Sequence, residues 1–266
     1  MAGRVVVVTS GKGGVGKTTT VANIGTGLAL RHKKVVMIDA DIGLRNLDVV
    51  MGLENRIIYD LVDVAEKTCR SINKALIKDK RLSNLFLLPA AQTRNKDAIK
   101  PEQMIEIVEE LKEEFDYILL DCPAGIERGF DNAVVAATEA IVVTTPEVSA
   151  VRDADRIIGL LQEKEIYEPA LILNRLRPDM VRKGDMMDVD DINDILAIKL
   201  LGIVPDDEEI IISTNKGEPA ILNSHSKAGE AFRNIVRRMV GEEVPFMPVN
   251  GSPGLFGRFL KLMHGK

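Results

Sequence analysis

The sequence contains no tryptophan and only 4% aromatic residues in all. It therefore lacks the stacked-ring platforms on which single-stranded nucleic acid is usually held. An excess of positive charge is also missing: 35 Lys and Arg face 40 Asp and Glu, a formal net charge of -5. No global attraction to nucleic acid follows from that balance, so any basic contact is local and no specific nucleic-acid partner is expected. The purely aliphatic runs, such as 5–8 and 140–143, fall far short of the roughly 20 apolar residues needed to cross a bilayer. Two cysteines, Cys69 and Cys122, suit a reducing compartment better than a disulfide scaffold. The stretch from Met1 to the strand-like run at Val5 leaves no room for a signal peptide, and Gly3 is misplaced for myristoylation, so the expected location is the cytoplasm. What remains, 45% hydrophobic and 28% charged over 266 residues, is the composition of one large globular domain or two small ones.

Short β-branched runs alternate with helix-length amphipathic stretches, the pattern of βαβ units in a doubly wound, mostly parallel α/β sheet. Strands are expected at 5–9, 35–38, 85–88, 117–120, 140–144, 170–174 and 200–204, and their continuous apolarity implies burial on both faces. Helices are expected at 17–31, 101–114, 130–138, 148–164, 189–198 and 227–240, with Pro101 suited to a first turn. The alternation shows no boundary, so 1–244 is expected to be one domain. Pro245, Pro248, Gly251, Pro253 and Gly254 then crowd together, marking 245–254 as a linker.

The first strand runs into Gly11-Lys12-Gly13-Gly14-Val15-Gly16-Lys17-Thr18, a complete P-loop pattern that opens a helix. Its glycines let backbone N–H groups turn inward, and the helix start adds unpaired donors and a positive dipole end, so the segment cradles phosphates. Lys17 is placed to meet the β and γ phosphates and the Thr18 hydroxyl to take one Mg²⁺ position. Reading Gly11, Gly13 and Gly16 as a dinucleotide fingerprint conflicts with the Lys17-Thr18 pair that follows. Two further strands end in carboxylates. Asp39 and Asp41 follow the second and, two apart in an extended chain, face the same way. Asp121 closes 118–121 in the manner of a Walker B strand, ahead of Cys122-Pro123-Ala124-Gly125. A solvated acidic loop is the plain alternative for Asp39 and Asp41; a small buried hydrophobe is the plain reading of Cys122.

With the extra Lys12, the run from Lys12 through Lys17, Thr18 and Thr19 resembles the deviant Walker A (ParA/MinD) family of P-loop NTPases. The resemblance extends through 39–52, 121–127 and 182–186 to essentially the whole chain. It implies an ATPase that binds ATP and Mg²⁺ and forms a homodimer with nucleotide between the subunits. Lys12 would then reach the partner's phosphates, supplying on dimerisation what an arginine finger supplies elsewhere; a generic phosphate attractor within its own subunit is the alternative when the lysine is taken without the resemblance. The resemblance further implies Asp39 and Asp121 near magnesium, Asp41 beside the attacking water, and Gly125 as a γ-phosphate switch. It places the adenine against Asn174, Arg175, Pro205 and Asp206, within the stretch ending at Asp207. Asn174 offers both a donor and an acceptor, though a strand-end cap explains it too. The guanine pattern has one near miss, Asn215-Lys216-Gly217-Glu218, with glutamate where aspartate belongs.

After the linker, 255–266 contains no acidic residue. On a helical wheel Leu255, Phe256, Phe259, Leu260, Leu262 and Met263 share one side, with Arg258, Lys261 and His264 outside it. Such a helix enters a headgroup boundary apolar side first while its cations meet anionic lipid; an ordinary terminal helix packed on the core is the alternative. The division-site branch of the family implies attachment to anionic inner-membrane lipids, recruitment of the division inhibitor MinC and control by MinE, with Asp153 and Asp155 in the partner interface. Gly257 and His264 depart from the tail expected of that branch. A ParA-like partition ATPase, a flagellar-number ATPase and a nucleotide-sensing docking protein without turnover are the rivals.

Overall fold

Burial on both sides explains the all-apolar strands. In the computed structural model, which describes residues 3–95, 97–125 and 128–246, Val5 and Val7 of the first strand join one core while Val6 and Val8 join another on the opposite face. The strands are β1 (Arg4–Thr9), β2 (Val35–Asp39), β3 (Ile77–Lys78), β4 (Leu85–Leu88), β5 (Tyr117–Asp121), β6 (Glu139–Thr144), β7 (Ala170–Leu176) and β8 (Lys199–Pro205). They form one 8-stranded sheet in the order β3-β4-β2-β5-β1-β6-β7-β8, with only β3 running antiparallel to its neighbour. The doubly wound, mostly parallel α/β architecture is as expected.

Helices cover both faces. α1 (Lys17–Leu30), α2 (Leu47–Met51) and α10 (Lys227–Met239) pack on one side. α3 (Leu61–Ala65), α4 (Pro101–Lys112), α5 (Arg128–Val134), α6 (Val148–Glu163), α7 (Pro178–Lys183) and α8 (Val189–Leu196) take the other. α9 (Glu209–Asn215) sits against α2. Several local expectations need correction. The helix expected at 130–138 ends at Val134, because the chain must turn for the Thr138 N–H and hydroxyl to reach the Val5 carbonyl and feed β6 in beside β1. α8 stops at Leu196, where Ala197 turns left-handed at φ 50°. Cys69 lies beyond the end of α3, and its buried thiol donates to the Ser71 carbonyl at 3.1 Å. The linker expected at 245–254 overlaps the described residues only at Pro245 and Phe246, and the tail helix at 255–266 lies outside them. Among the described residues no helix is long and apolar enough to cross a membrane.

One latch on this frame carries a measurable consequence. Arg81, in the turn between β3 and β4, donates to the Asp79 carboxylate at 2.8 Å, the Met51 carbonyl at 2.9 Å and the Gly217 carbonyl at 2.9 Å. It thus ties the end of α2 to the turn after α9. Gly52 and Gly217 touch there, both at φ 64°, so closely that a Cβ on Gly217 would lie 2.6 Å from Gly52 Cα. Burial pushes the Asp79 carboxyl up, but its bonds to Arg81 outweigh that and leave it below the usual range. Arg81→Ala leaves the buried Asp79 carboxylate only the backbone N–H groups of residues 81 and 82 and is expected to destabilise the fold by about 1.5–3 kcal/mol. Urea unfolding measures it; a loss below about 1 kcal/mol would mean that water replaces the guanidinium without cost.

Candidate active site

The chain leaving β1 turns toward β2 on one side of the sheet, and the chain leaving β6 turns toward β7 on the other. Connections that diverge from neighbouring strands open a crevice at the carboxyl edge, the position where open α/β sheets hold ligands. The P-loop fills the floor of this crevice. Gly14 and Gly16 take left-handed φ values of 79° and 100°, and a Cβ on Gly16 would strike the Asn174 side-chain amide. That amide donates to the Val15 carbonyl at 2.7 Å, so Asn174 on β7 braces the loop from behind. Gly11 is closed in the same way by the backbone of Asp153 on α6.

The two lysines of the loop differ in environment. Lys17 is buried, 8% exposed, and donates to Ser10 Oγ at 3.0 Å, while Ser10 donates on to the Lys12 carbonyl at 2.8 Å. Lys12 points away from this cradle. Its side chain is 46% exposed and rests on the start of α6, 3.6 Å from the Glu147 carboxylate and 3.5 Å from the Ser149 hydroxyl. Motif reasoning found both lysines but missed Ser10, Glu147 and Ser149. Ser10 could have been suspected as the residue before the first glycine; the other two are more than a hundred residues away and carry no local signal.

Asp39 and Asp121 end adjacent strands and are direct cross-strand partners. Three backbone N–H groups hold the Asp39 carboxylate, from Asp41 at 3.0 Å, Asn46 at 3.0 Å and Leu47 at 3.1 Å. Burial nevertheless pushes its carboxyl up to about 6, against the pull of those donors. Burial also lifts Asp121 well above the carboxylate range, helped by the charge of Asp39 and opposed by the Thr18 hydroxyl and Lys17. Asp121 Oδ1 is buried with no hydrogen-bond partner. A divalent cation suits this place: it would relieve two crowded carboxylates and the orphaned oxygen, with Thr18 supplying a hydroxyl. Among the described residues no group of three or more His, Cys, Asp or Glu forms a ligand cage. Cys122, beside Thr9, is pushed up to about 12 by burial and stays an un-ionised thiol.

The sign of these shifts sets a pH test. A carboxyl whose folded pKa is raised binds its proton more tightly in the folded state, so its ionisation erodes stability as pH rises from the unfolded value of about 3.9 through the folded one. In the absence of nucleotide, Asp121→Asn should gain stability relative to the unaltered chain as pH is raised from about 5 to 8. Urea midpoints across that range are the measurement, and a constant difference between the two proteins would overturn the assignment.

The remaining expected residues surround the same crevice. A cleft of about 1620 Å³ extends from the loop past Gly16, Thr19, Asn174, Arg175, Pro205 and Asp206. Arg175 is exposed at a left-handed φ of 57°. The segment after Pro205 is pinned by Asp207, which accepts from Ser226 Oγ at 2.9 Å, Ala228 N at 2.9 Å and Glu209 N at 3.0 Å. Gly125, at φ 90°, donates its N–H to the Ser10 carbonyl at 3.3 Å, so the segment after β5 already touches the loop. Asp41 lies half-buried beside Asp39, and Asp155 is exposed one half-turn beyond Asp153 on α6.

Residues 3–168 match the family model described as an AAA domain. Over 245 residues the chain is 62% identical to the septum site-determining protein MinD of Synechocystis sp., covering 92% of each. The chain belongs to the MinD family. Two solved MinD structures carry the same fold. One, from a MinC:MinD cell division protein complex of Aquifex aeolicus, matches with a TM-score of 0.86 and 50% identity, covering 92% of this chain and 98% of that one. The other, MinD complexed with Mg-ADP from Pyrococcus horikoshii, matches with a TM-score of 0.80 and 30% identity over 90% of this chain and 96% of that one.

Proposed function

We propose that this chain is a Mg²⁺-dependent ATPase that dimerises around ATP, attaches to a membrane through its C-terminal tail, and marks the division site by recruiting MinC there under the control of MinE. The observation that carries the reading is the split between the two lysines, one sunk into its own phosphate cradle and one held outside it. Lys17, with the N–H groups from Gly13 to Thr19, binds the triphosphate within the subunit. Lys12 faces outward and completes the cradle of a second subunit, so the charge that builds on the transferred phosphoryl group is met only in the dimer. Asp41 orients the attacking water; little proton transfer is needed in a largely dissociative displacement. Thr18, with Asp39 and Asp121 acting through water, would hold Mg²⁺, which supplies neutralisation of phosphate charge. Asn174, Arg175, Pro205 and Asp206 receive the base, and Gly125 senses the γ phosphate by exchanging its bond to Ser10.

Asp153 and Asp155 lie on the helix whose first turn holds Lys12. A partner seated there, MinC or MinE, thus sits on the element that positions the transferring lysine. Turnover joins the parts: ATP pairs two tails for the membrane, and hydrolysis releases them. The test is phosphate release by the full chain alone, with anionic vesicles, and with vesicles plus MinE. Turnover is expected to rise several-fold with each addition. Absence of phosphate release under all three conditions would reduce the chain to a nucleotide sensor, and salt-sensitive duplex binding by a tail-deleted chain would favour a partition role instead.

A further inference from the structure

The described chain ends at the pole of the sheet opposite the P-loop. Arg4 opens β1 there, Lys33 and Lys34 precede β2, and the C-termini of α1 and α10 meet. The pole is about 20 Å from the phosphate loop, the length of the six-residue β1. Arg238 fixes the exit of the chain: it donates to Val244 O at 2.9 Å, Pro245 O at 2.9 Å and Leu201 O at 3.0 Å, with its guanidinium 4.2 Å above the Phe246 ring. Arg31 and Arg237 share a single carboxylate, Glu242. Among the described residues Lys33 has no ion pair, and Glu243 is exposed on the same corner. Four cations therefore face two anions, and two helix C-termini with about half a negative charge each do not cancel the excess completely in solvent. Nearby Arg4 is matched by Glu139 and Lys34 by Glu114, while the exposed Asp116 carboxylate accepts from the Lys34 backbone N–H. Leu30 and Phe246, each 44% exposed, lie on the same corner.

We propose that this corner, formed by the ends of α1 and α10, is a second contact with the anionic bilayer, made by the folded domain itself and additional to the tail. The inference rests on the membrane reading above. A chain of net charge -5 is repelled from an anionic surface in most orientations, so the domain approaches by the face whose local charge is positive. The tail leaves from that face. Insertion of the tail therefore raises the effective concentration of Arg31, Lys33, Arg237 and Arg238 at the headgroups. Leu30 and Phe246 meet the headgroup boundary.

The experiment uses the full chain with a non-hydrolysable ATP analogue and vesicles of equal parts phosphatidylglycerol and phosphatidylcholine. The triple variant Arg31→Gln, Lys33→Gln, Arg237→Gln is expected to bind about tenfold more weakly or worse, since each cation near an anionic surface contributes a several-fold factor. Its turnover without vesicles should stay within about twofold, because none of the three residues touches the nucleotide site. Glu243→Lys, in the otherwise unaltered chain, should tighten vesicle binding several-fold. The sequence has no tryptophan, so Leu30→Trp and Ile211→Trp give single fluorophores at the two poles. Brominated lipid should quench the first and spare the second. Unchanged vesicle affinity in both charge variants, or equal quenching at the two positions, overturns the second contact. Loss of duplex DNA binding by the triple variant, with vesicle binding intact, reassigns the corner to nucleic acid. Failure of the unaltered chain to bind vesicles removes the membrane reading and this contact together, whereas normal binding by the triple variant removes this contact alone.

Discussion

Replacing Lys12 with alanine is expected to lower ATP turnover by about 10³-fold or more while changing the affinity of the single subunit for ATP by less than about tenfold. The asymmetry follows from where the two lysines sit. Lys17 is 8% exposed inside the loop, bonded to Ser10, so its removal strips a cation from the phosphates of its own subunit. Lys12 stands outside that cradle, against Glu147 and Ser149. Its loss leaves the glycine N–H groups and Lys17 in place but removes the charge that the proposed function delivers across the dimer. An arginine finger delivered in trans acts by the same electrostatics and has effects of this size. Fluorescent-nucleotide titration, phosphate release and light scattering together separate the consequences. The variant should bind nucleotide, stay monomeric with ATP and release almost no phosphate. If it pairs and turns over at the normal rate, Lys12 serves its own subunit and the shared-nucleotide reading fails.

The second large effect is on the membrane. Leu260→Glu places a carboxylate in the middle of the apolar side of the tail and is expected to reduce ATP-dependent vesicle binding by about 10²- to 10⁴-fold. One short tail holds weakly, because ordering it costs about 1–2 kcal/mol per residue of backbone entropy against a small apolar stripe. Two tails on one dimer change that balance, since insertion of the first places the second at an effective concentration near the millimolar range. The unaltered chain with ADP should behave like the variant with ATP, as both lack paired insertion. Sedimentation with vesicles measures all three states, and equal pelleting with ADP and with ATP would show that attachment does not depend on pairing.

These two results probe features of different origin. The P-loop and the strand-end carboxylates Asp39 and Asp121 are patterns of near neighbours, in which residue type and spacing along the chain already state the chemistry, and the proposed tail is read from the same kind of pattern. The long helices and buried strands were legible for the same reason: a period must repeat to be seen. α2, α3, α7 and α9 span one or two turns each, too few for a helical period to stand out, and β3 has only two residues. Their existence is settled by what they pack against.

Contacts between distant residues carry no such signal. Nothing near Asn174 says that its amide braces the Val15 carbonyl, nothing near Arg81 says that it bridges Met51 and Gly217, and Glu147 gives no sign of holding Lys12. Asp39 and Asp121 were each recognisable, but their placement side by side depends on β5 lying next to β2. That adjacency, and the burial that raises both carboxyls, arises from strand order. Chemistry carried by a few consecutive residues is thus encoded along the chain, because backbone geometry fixes their relative positions. The electrostatic environment in which that chemistry operates comes from packing the whole sheet, because burial and charge coupling depend on distance in space.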